Sequence, residues 1–433
     1  MKSVDNHTFI FDCYLDEENI FITGPGGTGK TYSIKKIYQH AKENGKRICV
    51  TALTGVASVL LDCNATTIHS WAGIGISSNN RSDIQIINKI NRSKFYRHNW
   101  ENTDILVIDE ISMMSSKMFE LLNKIGQVIR NNKKPFGGIQ LIFSGDFFQL
   151  PPVKETIFCF ESPYFTTSFH RIINLTKIYR QNDPVYKKLL LNMRKGQITR
   201  KSIELLNSKT INALEEIDND KTTRLVPTKA KANEINEYFI NKIKGKKYTY
   251  KRSYKETIEN LTKMEKLKLD LMSEDEKETE YNFIKSSTLT EEQLTLKVGT
   301  YVMCIANLDL ATGIANGSTG IVVDFTPEKY PLVKFDKHDK EVVIGKKEWK
   351  SDNVPGISLY QIPLILAWGI TIHKAQGLTL DKAIIDVGKD LFEAGQMYVA
   401  LSRLKSLDGL YLQNFDLNSL KINKKVLDFY ETI

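Results

Sequence analysis

The stretch GPGGTGKT, Gly24 to Thr31, decides how the rest of this chain is read. It follows an apolar run, Ile20, Phe21 and Ile22, and leads into a segment of helical character at Tyr32 to Lys36. The spacing is G-x-x-x-x-G-K-[ST], in which glycines let successive backbone N–H groups turn inward on an anion. Only glycine takes those conformations without steric cost. Gly24, Pro25, Gly26, Gly27, Thr28 and Gly29 are therefore expected to cradle phosphate. Lys30 would set a point charge against the β- and γ-phosphates, and the Thr31 hydroxyl would hold Mg²⁺. The helix that follows would turn the positive end of its dipole toward the ligand. A strand, a glycine loop and a helix in that order also give the fold class: α/β, built on a parallel sheet.

Composition sets the outer bounds. At 433 residues, with 41% hydrophobic and 26% charged, the chain suits roughly two to four globular domains. No stretch approaches the ~20 apolar residues of a membrane span, so no membrane association is expected. The opening MKSVDNHTFIFDCYLDEEN lacks the apolar core of a signal peptide and any Arg-rich amphipathic pattern. An intracellular protein is expected, cytoplasmic in a bacterium or virus, with nucleus and mitochondrion open in a eukaryote. Five scattered cysteines without a C-x-x-C pair read as reduced core thiols rather than a disulfide framework or zinc site. A net charge of +9 permits a polyanionic partner without requiring one.

Beyond the glycine loop, KRICV (Lys46 to Val50) reads as a strand that empties into Thr51 to Ser58, TALTGVAS. Ligands of parallel sheets sit at the carboxyl ends of the strands, so Thr54 and Gly55 should share the rim of the phosphate loop. Thr54 reads equally well as a helix N-cap. In TTIHSWAG (Thr66 to Gly73), His69 and Trp71 suit stacking on unpaired bases, while Trp71 as a core residue is an equal alternative. The polar, basic run from Ser77 to Trp100 reads as a small insertion. ILVI (Ile105 to Ile108) has the continuous apolar character of a strand buried on both faces, and it ends in Asp109 and Glu110. There Asp109 would contact Mg²⁺ and Glu110 would orient or deprotonate the attacking water. IQLIF (Ile139 to Phe143) runs into SGDFFQLPP, with Gln149 able to sense a γ-phosphate and two prolines stiffening the end. LTKIYRQ (Leu175 to Gln181) resembles a strand that delivers Arg180 to a turn.

The α/β pattern reopens at Leu225 to Asn236. Lys242 to Asn282 is mostly charge, read as a solvated, partly mobile insertion in preference to a DNA-binding arm. Val298 to Phe335 has short apolar runs broken by Asn316-Gly317 and Gly320, the grammar of a small β-barrel. Parallel-sheet character returns in PLILAWGITIHKAQGLTLDKAIIDVG, followed by a helical GQMYVALSRLKSLDGLYL.

With these blocks laid out, the chain resembles a superfamily-one DNA helicase of the Pif/RecD type, nearest the Pif branch. The likeness rests on GPGGTGKT, TALTGVAS, TIHSWAG, VIDEISMM (107 to 114), SGDFFQLPP (144 to 152), IYRQ (178 to 181), NGSTG (316 to 320), ITIHKAQGLTLD (370 to 381) and GQMYVALSR (395 to 403). It implies two RecA-like domains with parallel sheets and a small SH3-like β-barrel inserted in the second. The boundaries expected are 1–180 for the first domain, with a small insertion near 74–100; 181–249 and 357–433 for the second; and 250–356 for the barrel with its charged arm. No regulatory extension is expected on either side of this core. The resemblance further implies ATP and Mg²⁺ as cofactors and 5′→3′ movement on single-stranded DNA. It implies unwinding of forked or tailed duplex, with G-quadruplexes and RNA–DNA hybrids as related substrates, by a monomer serving replication, recombination or repair. By motif match Lys30, Glu110, Gln149, Arg180 and Arg403 are the catalytic set, and Gly377 joins the loop residues in ATP binding. Thr31 and Asp109 hold the metal, and Thr54, Gly55, His69, Pro151, His373 and Lys374 touch DNA.

Two departures stand out. The family usually carries an adenine-reading glutamine upstream of the phosphate loop, whereas the first glutamine here is Gln39, beyond it. FCFESPYFTTSF has Phe165 where a tryptophan is common. Two rival readings remain: a clamp or translocase that does not separate strands, and a RecD-like subunit that needs partners.

Overall fold

In the computed structural model the apolar run ahead of the glycine loop is a strand, β1 (Ile20–Thr23), with all four residues buried. The structure describes residues 6–61, 63–74, 82–153, 155–210, 221–259, 261–308, 314–351 and 354–433. Five more strands join β1: β2 (Ile48–Ala52), β3 (Thr66–Thr67), β4 (Ile105–Asp109), β5 (Gln140–Gly145) and β6 (Arg171–Asn174). Their order is β3-β2-β4-β5-β1-β6 and every pairing is parallel. Because every pairing is parallel, a crossover must return the chain to the same start for each strand, and all carboxyl ends share one rim.

The pleat sends alternate residues to opposite faces. Ile20, Ile22, Ile105 and Val107 pack with Ile10, Ile34 and Ile37, while Phe21, Leu106, Ile108, Leu141 and Phe143 pack with Trp100, Phe119, Leu122 and Ile125. This two-sided burial is why the strands read as unbroken apolar runs.

Three local expectations change. The stretch expected as a surface insertion forms two helices, Asp83–Arg92 and Lys94–Asn102. Ile86, Ile87, Ile90 and Trp100 sit in the core, and the Trp100 indole donates to the Ala72 carbonyl at 3.2 Å. Its polar majority hides an apolar stripe of helical spacing; residues 75–81 lie outside the described residues. Trp71 is buried with its ring centroid 4.5 Å from that of Trp100, so it packs rather than waits for a base. The strand expected to carry Arg180 is instead β6, which ends at Asn174, and residues 175–181 continue without helix or strand. Phe165 is wholly buried among Phe21, Phe119 and Phe169.

The chain divides into two compact units. One is most of the chain to Thr199 with Glu393–Ser402 and Leu420–Ile433; the other is Arg200–Phe392 with Arg403–Ser419. Strands of the second unit are β7 (Arg224–Val226), β8 (Tyr248–Lys251), β9 (Ser253–Glu256), β10 (Gln293–Leu296), β11 (Tyr301–Cys304), β12 (Thr319–Phe325) and β13 (Pro331–Phe335). They continue with β14 (Glu341–Val343), β15 (Lys347–Lys350), β16 (Ile357–Gln361), β17 (Leu364–Leu366), β18 (Gly369–Thr371), β19 (Ala383–Asp386) and β20 (Leu410–Gln413). A four-stranded parallel sheet, β18-β7-β19-β20, accompanies antiparallel sheets ordered β14-β13-β12-β11-β17, β15-β16-β9 and β10-β8. The expected mixed α/β architecture is thus observed.

The charged stretch from Lys242 to Asn282 has regular structure among its described residues. It supplies β8, β9, helix Lys263–Asp270 and most of helix Glu274–Ser287. Leu269 packs with Ile284, Val354, Ile357 and Leu359, while Ile258, Leu267 and Leu271 stay exposed, and Thr262 with Glu265 closes a capping box on the first helix. None of the five cysteines forms a disulfide.

Candidate active site

The glycine loop has the backbone its spacing demands. Gly24, Gly27 and Gly29 hold φ of 137°, 82° and 88°, where L side chains are strained. A Cβ on Gly24 would fall 2.2 Å from the Leu175 carbonyl oxygen, and one on Gly27 would fall 2.5 Å from Arg180 Cβ. Lys30 opens helix Lys30–Glu43 and folds back so that Nζ donates to the Gly24 and Pro25 carbonyls at 2.6 and 3.1 Å. Burial pushes the Lys30 ammonium down from its ordinary value, against the pull of Asp146, Glu110 and Asp109. An anion in the cradle would relieve that cost.

At the edge of the loop, His7 from helix Asn6–Leu15 lies against Gly29, where a Cβ would come 2.8 Å from its Cε1. Its Nδ1 pairs with Ser33 Oγ at 2.7 Å, and its ring lies 5.6 and 5.9 Å from those of Tyr32 and Tyr179.

Asp109 closes β4, and its Oδ1 accepts from the Glu110 N–H at 2.9 Å. Burial raises the Asp109 carboxyl, and Lys30 opposes the rise. Glu110 has φ of 56° at the tip of the strand, an uncommon state for a non-glycine residue and one that clusters at functional sites. After β5, Gln149 is buried, and its Oε1 has no hydrogen-bond partner among the described residues. Arg180 is partly buried; its Nη1 donates to the Ser402 carbonyl at 3.1 Å, and burial lowers its guanidinium while Tyr398 and Glu110 favour the charge.

Beside these lies a cluster that the sequence reading did not single out. Asp146 is fully buried and bound by Arg194 through Nε, at 3.1 Å to each oxygen, and through Nη2 at 2.8 Å. Tyr430 and Tyr398 offer hydroxyls to opposite oxygens of Asp146, each at 3.4 Å. The Arg194 guanidinium also lies over the Phe148 and Tyr430 rings, 4.4 and 4.9 Å from their centroids. Asp146 stood in the quoted SGDFFQLPP and Tyr398 in GQMYVALSR. Their signal was the position beside motif residues, whereas Arg194 and Tyr430 sit in helices without one.

Thr54 Oγ1 accepts from the Ala57 N–H at 3.2 Å and so caps helix Gly55–Leu61. His69 lies on helix Ile68–Ala72, just past β3, and Pro151 follows β5 on the same unit. Lys30, Thr31, Asp109, Glu110, Gln149 and Arg180 thus all belong to the first unit, and the strand-end residues among them share its rim. Arg403, His373, Lys374 and Gly377 belong to the second unit. There Arg403 is buried and its carbonyl accepts from the Leu380 N–H at 2.9 Å. His373 stacks on Phe392 with centroids 6.1 Å apart, and Lys374 is lowered by burial against the pull of Glu291. Among the described residues no group of three or more His, Cys, Asp or Glu is placed to hold a metal ion, and no helix is long and apolar enough to cross a membrane.

Known proteins resemble this chain along its whole length. Residues 10–204 match the PIF1-like helicase family and residues 281–325 match the DNA helicase Pif1 2B domain. The ATP-dependent DNA helicase PIF1 of Danio rerio is 36% identical over all of this chain and 64% of its own length. The chain spans about three fifths of the length of the first curated relatives it matches. A crystal structure of Pif1 helicase from Candida albicans aligns at 31% identity and TM-score 0.79, covering 100% of this chain and 99% of that one. Pif1 helicase from Bacteroides in complex with ADP-AlF3 and ssDNA aligns at 27% identity and TM-score 0.68, covering 100% and 97%.

Proposed function

The chain belongs to the PIF1-like helicase family, and from that membership we propose that it is an ATP-driven DNA helicase that moves 5′→3′ on single strands and opens forked or tailed duplex as a monomer. The observation that carries this reading is the half-buried Lys30 ammonium folded into a glycine cradle, in the same unit as a strand tip holding Asp109 and the backbone-strained Glu110. Those parts suit phosphoryl transfer, in which positioning and charge stabilisation supply most of the rate.

Lys30 neutralises the β- and γ-phosphates, and Glu110 accepts a proton from the attacking water. Gln149, with its unpaired Oε1, orients that water or the terminal phosphate. Arg180 and, from the second unit, Arg403 supply positive charge during turnover. Thr31 and Asp109 would hold Mg²⁺: one hydroxyl and one carboxylate, with substrate phosphate and water completing the shell, is the modest protein share this ion takes. Bound there it would neutralise charge developing on the phosphates. His7, Tyr32 and Tyr179 offer the base a stacking surface in place of a glutamine. Thr54, Gly55, His69, Pro151, His373 and Lys374 contact single-stranded DNA.

Strand displacement on 5′-tailed, 3′-tailed and forked duplexes tests the proposal. Unwinding of the 5′-tailed and forked substrates, with the 3′-tailed one left intact, is expected. DNA-stimulated hydrolysis without displacement would instead establish a translocase or a subunit dependent on partners.

A further inference from the structure

One amide of the phosphate cradle is already occupied by the protein itself. The Gly26 N–H donates to Tyr398 Oη at 3.0 Å, and Tyr398, only 2% exposed, directs its own hydroxyl proton to Asp146 Oδ2 at 3.4 Å. The two bonds differ in quality: the first has normal length, and the second is long and weak. Asp146 barely depends on it, because Arg194 already binds both carboxylate oxygens. Gly26 also adjoins Gly24 and Pro25, whose carbonyls hold Lys30 Nζ. The phosphate that draws Lys30 off those carbonyls therefore arrives beside the Gly26 amide and the Tyr398 hydroxyl.

We infer that Tyr398 is a sensor of the terminal phosphate: when a nucleoside triphosphate binds, its hydroxyl releases the Gly26 N–H, turns its proton from Asp146 to a γ-phosphate oxygen, and thereby separates triphosphate from diphosphate. This inference rests on the ATP reading above. The exchange is favourable because the hydroxyl proton leaves a long 3.4 Å contact with Asp146, which Arg194 already holds, for a short charge-assisted bond to phosphate, and the Gly26 N–H is freed for the nucleotide. A diphosphate, lacking that oxygen, leaves the Tyr398 bonds in place and gains nothing. The step also connects nucleotide state to the segment Asp146 to Pro151, since Asp146 loses one donor whenever the terminal phosphate is present. Tyr398 is thus a specificity residue, and Asp146 is the residue that positions it.

Tyr398→Phe removes the hydroxyl and keeps the ring that fills the core. Affinities are measured by fluorescence titration with N-methylanthraniloyl-ADP, and by its displacement with a β,γ-imido triphosphate. The variant should bind diphosphate as the wild type does and triphosphate about fivefold more weakly, the difference between a charge-assisted and a neutral hydrogen bond. Tyr430→Phe is the control: it removes the other tyrosine hydroxyl on Asp146, which meets Thr23 at the end of β1 and the Phe147 N–H but no amide of the cradle, and should leave the triphosphate preference within twofold. A preference unchanged in Tyr398→Phe, or lowered equally in Tyr430→Phe, overturns the inference, the second result reducing Tyr398 to general packing around Asp146. Wild-type protein that binds neither nucleotide would overturn the ATP reading itself, and the inference with it.

Discussion

The parallel sheets of the two units end in different ways. At the rim of the first, the acid following β5 is Asp146, whose side chain is 0% exposed and whose partner Arg194 is 5% exposed. At the end of β19 in the second, Asp386 is also buried, but its partner Lys231 is 31% exposed and is shared with the mostly exposed Asp390. One sheet thus ends in a dry cluster of charge, tyrosine hydroxyls and aromatic faces; the other ends in a pair open to water. Charge at a strand end does not by itself make a reaction site. In the first unit low dielectric strengthens each interaction around the cradle and makes every unpaired charge costly. In the second the same kind of pair is screened and adjustable.

The strongest way to break the comparison is to remove chemistry from the dry rim. Lys30→Ala should abolish DNA-stimulated phosphate release. Glu110→Gln should retain nucleotide binding and lose about 10² to 10⁴ in turnover, the usual contribution of a positioned general base. Lys231→Met, at the wet rim, should change turnover less than twofold. Wild-type hydrolysis by Glu110→Gln would show that the strained strand tip is not where water is activated.

Stability gives the next largest contrast. Asp146→Asn leaves the Arg194 guanidinium buried with no counter-charge and should destabilise the first unit by about 3 to 5 kcal/mol. Asp386→Asn leaves behind a cation that is partly in water and still faces Asp390, and should cost about 1 kcal/mol or less. Urea denaturation of both variants measures the gap. Equal losses would mean that the dryness of the first rim carries no energetic consequence.

What was legible in the sequence follows the same division. Strands buried on both faces, such as Ile105–Asp109, read directly as apolar runs, and the glycine loop fixed both the cradle and the sheet around it. Two kinds of element escaped. Ile86, Ile87 and Ile90 were hidden by polar neighbours that point to solvent, so average composition suggested an insertion where the helical period placed a core face. The Asp146 cluster escaped because its members come from positions 146, 194, 398 and 430: an isolated arginine or tyrosine carries no local signal, and only the fold brings them together. The charged segment hid its packing for a related reason. Leu269 and Ile284 are buried while Leu267 and Leu271 are exposed, so composition alone does not show which of its few apolar residues pack.

The smallest effect concerns His69, at the rim past β3, and it asks whether the dry environment extends that far from the cradle. Burial pushes its imidazole below the ordinary value of 6.5. The sign follows from linkage: the folded-state pKa is depressed, so the unfolded chain takes up the proton first as pH falls. The stability contributed by neutral His69 is complete above about pH 6.5 and is lost as pH falls toward and through the depressed folded value, at no more than ~1.4 kcal/mol per pH unit. His69→Gln should therefore lose less stability than the wild type between pH 7.5 and 5.5, in denaturation measured at both. A neutral His69 also contributes no charge to phosphate binding. At pH 7.5 the salt dependence of single-strand affinity should keep its slope in His69→Gln, whereas loss of a cationic phosphate contact would lower it by about 0.7. A reduced slope, or identical pH profiles for variant and wild type, would place His69 on the wet side of the comparison, charged and facing the DNA backbone.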